Sequence, residues 1–146
     1  MNLTRAIPLP FVARGQGVKA VFPGDAAKAA IFDVLGNAVE CESKVEYDLL
    51  AAASALMATY FGILHRTTEW LAQNGLPGLR LSRAPVCRPF RSGNSRRQGC
   101  RFRRLSREFA TNGGLNEQMF RDFDERGGIQ ALTRALGRVF DRINNR

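Results

Sequence analysis

Histidine is all but absent from this chain: His65 is the only one. Three cysteines, Cys41, Cys87 and Cys100, make an odd number with no C-x-x-C spacing. These shortages exclude a disulfide framework and a zinc site of ordinary ligand spacing, so no metal is expected and the cytoplasm is the default setting. Before Pro10 there is an arginine but no apolar stretch of the kind a secretory leader carries, and none is expected here. Acidic residues are missing from one window. Residues 78–104 hold nine of the 22 basic side chains and no Asp or Glu, while outside it thirteen basic side chains face thirteen acidic ones. The net charge of +9 therefore resides in this window, and the rest of the chain is neutral.

What the chain has in abundance is one long apolar stretch, Lys44–Gln73. From Leu49 to Leu64 it runs without a formal charge, and only Gly62 within it disfavours a helix. As one helix the stretch makes a rod of roughly 45 Å. It is shorter than the about 20 apolar residues of a membrane span, and Glu46, Asp48, Arg66 and Glu69 flank it closely, so no membrane is expected. A helix apolar nearly all round is a core helix, wrapped by other helices of this chain or of a second copy.

Ahead of it, Arg5–Ala13 reads as extended chain with two prolines. Gly15-Gln16-Gly17-Val18-Lys19-Ala20 fits the letters of G-x-G-x-x-A, but Val18–Phe22 is itself strand-like and Pro23-Gly24 stops it, so a turn before a strand is the better reading. Asp25 caps a helix closed by Gly36, and Asn37–Glu40 makes another short strand. Ser43 with Glu46 reads as a capping box for the long helix, which Asn74-Gly75 and Pro77 end. After residue 104, Leu105–Ala110 leads into the turn Thr111–Gly114. Asn116 is expected to cap a helix through Arg126, and Gly127-Gly128 separates it from a last helix over Ile129–Ile143. Tyr60 and Trp70 read as core aromatics, and His65 as a partly exposed helix residue.

These pieces, in this order, resemble the C-terminal part of pyrroline-5-carboxylate reductase. The family motif D-A-V-T-A-L-S-G-S-G-P-A-Y lies without gaps over Asp48–Tyr60, with identities at Asp48, Ala52, Ser54 and Tyr60. R-x-M-P-N-T-P corresponds to Arg5–Pro10, one residue shorter, and T-S-P-G-G-T-T to Ala110–Asn116. S-G-S-G has become Ser54-Ala55-Leu56-Met57, and Asn116 replaces the second threonine of the loop. The resemblance implies a mainly α fold. Residues 1–42 would be a short β-α-β remnant of a Rossmann-type NAD(P)-binding domain, and residues 43–146 a helical dimerisation and substrate-side domain. It implies substrate contacts at Gly113, Gly114, Leu115, Asn116 and Ser54, and a cofactor contact at Pro8. The intact family reduces a cyclic imine to proline with NAD(P)H. This chain, without the rest of the cofactor domain, is expected to hold no cofactor tightly, to supply no catalytic residue and to be inactive alone. Its expected partners are a small imino acid and a second subunit, either another copy or an intact family member.

The basic segment needs its own account. From Leu79 to Arg104 no period of either kind is evident, and Pro85 and Pro89 forbid a continuous helix. One reading is an arm for nucleic acid, which would make the chain a non-enzymatic binding module. With Phe90 and Phe102 as its only stacking aromatics and no RNA-binding motif, that reading is disfavoured. The other comes from the genetic code: CGN arginine codons read one base later become GNN, so an Arg-rich run can conceal an Ala- and Gly-rich helix. With suitable codons Arg91–Leu105 becomes DPATAAGRAAAFAGL, the product of a compensated frameshift.

Overall fold

A computed structural model describes residues 3–7, 18–77, 80 and 98–145, the side chains of 98–100 excepted. Among them the chain is mainly helical with one small three-stranded sheet, and it divides into two compact units, Met1–Ala55 and Leu56–Arg146.

In the first unit, strand β2 (Lys19–Phe22) is central. Strand β1 (Arg5–Ala6) lies antiparallel to it, with Arg5 opposite Phe22, and β3 (Ala38–Glu40) lies parallel, with Lys19 opposite Ala38. A parallel pair needs a crossover, and helix α1 (Ala26–Asp33) supplies it. Asp25 caps α1 as expected: its carboxylate accepts from the N–H groups of Ala27 and Lys28 at 3.0 and 3.3 Å. The backbone bond from Lys28 is the main influence holding that carboxyl below its usual pKa. Lys19 is buried along its aliphatic stem, and its ammonium donates to the Phe32 carbonyl at 3.2 Å. Phe32 is in the last turn of α1, the end where a helix presents unpaired carbonyls and favours a cation. Helix α2 (Lys44–Ser54) packs on β2, with the Tyr47 ring 6.3 Å from that of Phe22. Ser43 Oγ accepts from Glu46 N at 3.1 Å, and Glu46 reaches back to the N–H of Glu42 at 2.8 Å, so the capping box forms one residue wider than its sequence form.

The second unit is built around α3 (Leu56–Gln73), against which α4 (Gln98–Phe109), α5 (Leu115–Glu125) and α6 (Gly128–Ile143) pack. Phe61 is its aromatic centre, with Phe102 stacked at 6.4 Å and Phe109 tilted at 5.3 Å. Trp70 meets Phe140 edge-on at 5.7 Å. At Gly62 a Cβ would stand 2.5 Å from Phe120 Cε2, so this glycine lets α5 approach closely.

Three expectations are corrected here. The Lys44–Gln73 stretch is helical, and its hydrogen-bond pattern is interrupted at the single residue Ala55, not at Gly62: Ala55 N turns back to Ala52 O, and Ala58 N bonds to a side chain. The end of the basic window does have a helical period. Phe102, Leu105, Ser106 and Phe109 form the inward face of α4, and a window that stops at Arg104 splits that face in two. Residue 79 and residues 81–97 lie outside the described residues. Finally, Asn116 does not cap α5; Gly114 is the N-cap, with no side-chain bond, and Asn116 is the second helical residue. Among the described residues Lys44–Gln73 is long and apolar enough to cross a membrane by length and composition, with 33% of its apolar window buried inside the protein.

Candidate functional site

The first turn of any helix leaves N–H groups without intrahelical partners. In α3 one of them, on Ala58, is taken by a side chain from another helix: Asn116 Oδ1 accepts it at 3.0 Å. Asn116 thus does for α3 what an N-cap residue does locally. The Ala58 carbonyl is engaged as well, accepting from Ser106 Oγ on α4 at 2.9 Å. Ala58 is buried, and α3, α4 and α5 are tied together through the two polar atoms of its backbone.

This arrangement brings two helix starts to one place. Ala58 is the third residue of α3 and Asn116 the second of α5, so the bond joins the first turns of the two helices. The loop before α5 is shaped for this. Gly113 has φ of 72°, a region that favours glycine. At Gly114 a Cβ would fall 2.5 Å from Thr111 Oγ1 and 2.9 Å from the Thr111 carbonyl, so no side chain fits. Gly114 N donates to Thr111 O at 2.8 Å, and Gly113 N donates to Glu117 Oε2 at 2.6 Å. Gly114 makes no side-chain cap bond to the first amides of α5, and the carboxylate of Glu117 in its first turn is the anion that the loop meets.

Of the residues the resemblance singles out, Gly113, Gly114, Leu115 and Asn116 lie together at this junction, with Leu115 exposed. Ser54 belongs to the first unit, and its hydroxyl bonds within its own helix, to Ala51 O at 2.7 Å. Pro8 lies outside the described residues. Neither Ser106 nor Ala58 stands out in the sequence. The signal for Ser106 is a polar residue on the apolar face Phe102–Leu105–Phe109, a place that demands a bonded partner.

Farther along α3, Glu69 accepts from Arg66 at 3.1 Å and faces His65 Nε2 at 3.4 Å. Burial lowers the His65 pKa; Glu69 raises it, and Arg103, Arg66 and Arg107 lower it further. The imidazole is thus held towards its neutral form. Among the described residues no three His, Cys, Asp or Glu side chains gather where they could hold a metal ion. No family model matches this chain, nor does any curated protein or solved structure.

Proposed function

We propose that this chain contains the substrate-side and dimerisation portion of a divergent protein of the pyrroline-5-carboxylate reductase kind. In this reading it holds the carboxylate of a cyclic imino acid at the junction of α3 and α5. The observation that carries it is the Asn116–Ala58 bond, which draws two helix N-termini to one point beside a glycine pair. Oriented amides at a helix start favour a carboxylate without help from a cationic side chain. Asn116 is a positioning residue here, because its side-chain oxygen is committed to α3 and the donors offered to the ligand are the first amides of α5 rather than those of Gly113 and Gly114, which are already bonded.

The β-α-β sheet is read as the remnant of a Rossmann-type domain, and the intact family takes its hydride from NAD(P)H. Pro8, the one residue assigned to that cofactor, is not among those described, so no step is derived through it. The chain's own contribution is binding and orientation. Purified chain given NADPH and pyrroline-5-carboxylate is expected to show no turnover, and turnover would overturn the claim that the chain's own contribution is binding and orientation.

The reading includes a homodimer, or a heterodimer with an intact reductase, in the cytoplasm. Leu56, Tyr60, Val139, Phe140 and Ile143 are exposed apolar side chains of the second unit, and apolar faces of this kind mark interfaces. Sedimentation is expected to show a dimer; a stable compact monomer contradicts this part. Co-purification with an intact reductase distinguishes the heterodimer.

A second reading, nucleic-acid binding through residues 80–104, draws on the outward arginines of α4. Arg103 and Arg107 are exposed with no ion pair among the described residues, whereas Arg104 is paired with Glu108 at 3.1 Å. Oligonucleotide binding that weakens steeply with salt supports it, and binding no tighter than that of a scrambled basic peptide removes it.

A further inference from the structure

Helix α4 carries its charge unevenly. Its only acidic residue, Glu108, is paired with Arg104 one turn earlier at 3.1 Å. Arg103 and Arg107 are also one turn apart on a shared face, exposed and with no ion pair among the described residues. Two like charges at this spacing repel, so the helix gains nothing by itself from holding them together. Their sequence neighbours fix where they stand. Arg103 follows Phe102, which stacks on Phe61 of α3 at 6.4 Å, and Arg107 follows Ser106, whose hydroxyl bonds to Ala58 O at 2.9 Å. Both arginines therefore leave α4 on one side of its contact with α3.

On α3 the neighbouring polar groups are already committed or apolar in effect. Glu69 is held by Arg66 at 3.1 Å and faces His65 Nε2 at 3.4 Å, and His65 Nδ1 is buried with no hydrogen-bond partner among the described residues. Burial is the main influence holding the imidazole neutral, and the charges of Arg103, Arg66 and Arg107 add to it, so all three lie within electrostatic reach of one ring. Three guanidiniums share the single carboxylate of Glu69, and two positive charges are left over. We propose that the rim where α3 and α4 meet binds a small dianion, phosphate or a soluble phosphomonoester, between Arg103 and Arg107 with Arg66 at its edge. The guanidinium fork matches the oxygens of a phosphate group, and two spare charges match a dianion better than the single charge of a phosphodiester. None of these residues belongs to the α3–α5 junction, so the inference stands or falls apart from the carboxylate reading.

His65 is the only histidine, so its ring protons report this rim alone. The test titrates the full chain from about pH 5 to 8, the range of an imidazole, at fixed ionic strength in chloride, sulfate or phosphate, following those protons by NMR. Sulfate and phosphate are each expected to raise the His65 pKa over its value in chloride by about half a pH unit, the effect of a screened charge nearby, and to do so saturably. Arg103→Gln with Arg107→Gln should abolish that response and itself raise the pKa in chloride, because two charges that lower it are gone. Arg134→Gln with Arg138→Gln removes an equally exposed pair one turn apart on α6 and should leave the response intact. No difference from chloride, a response that survives loss of Arg103 and Arg107, or one lost equally from the α6 variant overturns the inference. A response to phosphodiesters in place of phosphate, offered as a thymidine oligonucleotide or as phosphatidylglycerol vesicles, overturns the small dianion in favour of a polymer or a lipid surface.

Discussion

In the first unit the deepest side chains are Val21, Cys41 and the stem of Lys19, whereas in the second they are Phe61, Phe102 and Thr59. Three short strands and α1 give the first unit only small apolar residues to bury, and α1 leaves Ile31 and Val34 in solvent. The second unit starts from an aromatic cluster but runs out of cover along α6. Its apolar stripe is 6% exposed at Ile129, 38% at Phe140 and 73% at Ile143. Both units therefore have more apolar surface than their own cores enclose, one for want of bulk in the core and the other for want of a neighbour along the last helix.

The sharpest way to break this comparison is to hollow each core in turn. Phe102→Ala should destabilise the second unit by about 3–5 kcal/mol. Val21→Ala in the first unit should cost about 2 kcal/mol. Urea unfolding followed by tryptophan fluorescence reports the second unit, because Trp70 is the only tryptophan. If Val21→Ala shifts the Trp70 transition as much as Phe102→Ala does, the units do not unfold independently and the comparison fails.

Two glycines sharpen it within the second unit. Gly62→Ala puts a methyl 2.5 Å from the Phe120 ring, and overpacking of about 1–3 kcal/mol should outweigh the helix propensity gained. At Gly137 in α6 an added methyl meets nothing within 4 Å among the described residues, so Gly137→Ala should stabilise by about 1 kcal/mol, the propensity difference alone. Opposite shifts in melting temperature are expected, and shifts of the same sign would contradict the account of α3–α5 packing. A smaller effect belongs to the first unit: Ser43→Ala should lose about 1 kcal/mol through the α2 cap, measured by urea titration followed by circular dichroism.

The smallest effect is a pH dependence. The His65 pKa is lowered from 6.5 in the folded chain, first by burial, so the unfolded state binds the proton more readily. That component of stability is complete above pH 6.5 and falls as pH drops below it, until the folded-state pKa is passed. His65→Gln should flatten the stability profile just below pH 6.5, and Arg103→Ala should weaken the slope by removing one of the charges that lower the pKa. A slope unchanged by His65→Gln would assign the pH dependence to other groups.

Local chemistry in the sequence is a good guide to where elements start and stop. Asp25 and Ser43 cap the helices they precede, and Gly75, with φ of 89°, ends the one over Leu56–Gln73. What depends on partners distant in sequence is not legible. Asn116 looks like the cap of its own helix, since capping preference is a local rule, but its partner Ala58 is 58 residues earlier. The interruption at Ala55 falls on a residue with the highest helix propensity, so propensity gives no warning of it. Helix α4 is hidden by its charge. Its inward residues Phe102 and Leu105 are the same in the next-frame reading, and that reading alters the arginines between and before them. The nucleotide sequence separates the two: an open next frame across codons 79–104 encoding an Ala- and Leu-rich helix supports a compensated frameshift, and stop codons there exclude it.

The central claim is that a carboxylate sits where α3 and α5 begin. Backbone amide shifts on titration with L-proline test it most directly. The account predicts saturable changes concentrated at Gly113–Asn116 and Leu56–Thr59, abolished when Asn116→Leu removes the bond to Ala58. No saturable change at these amides, or changes centred elsewhere in the chain, would contradict it.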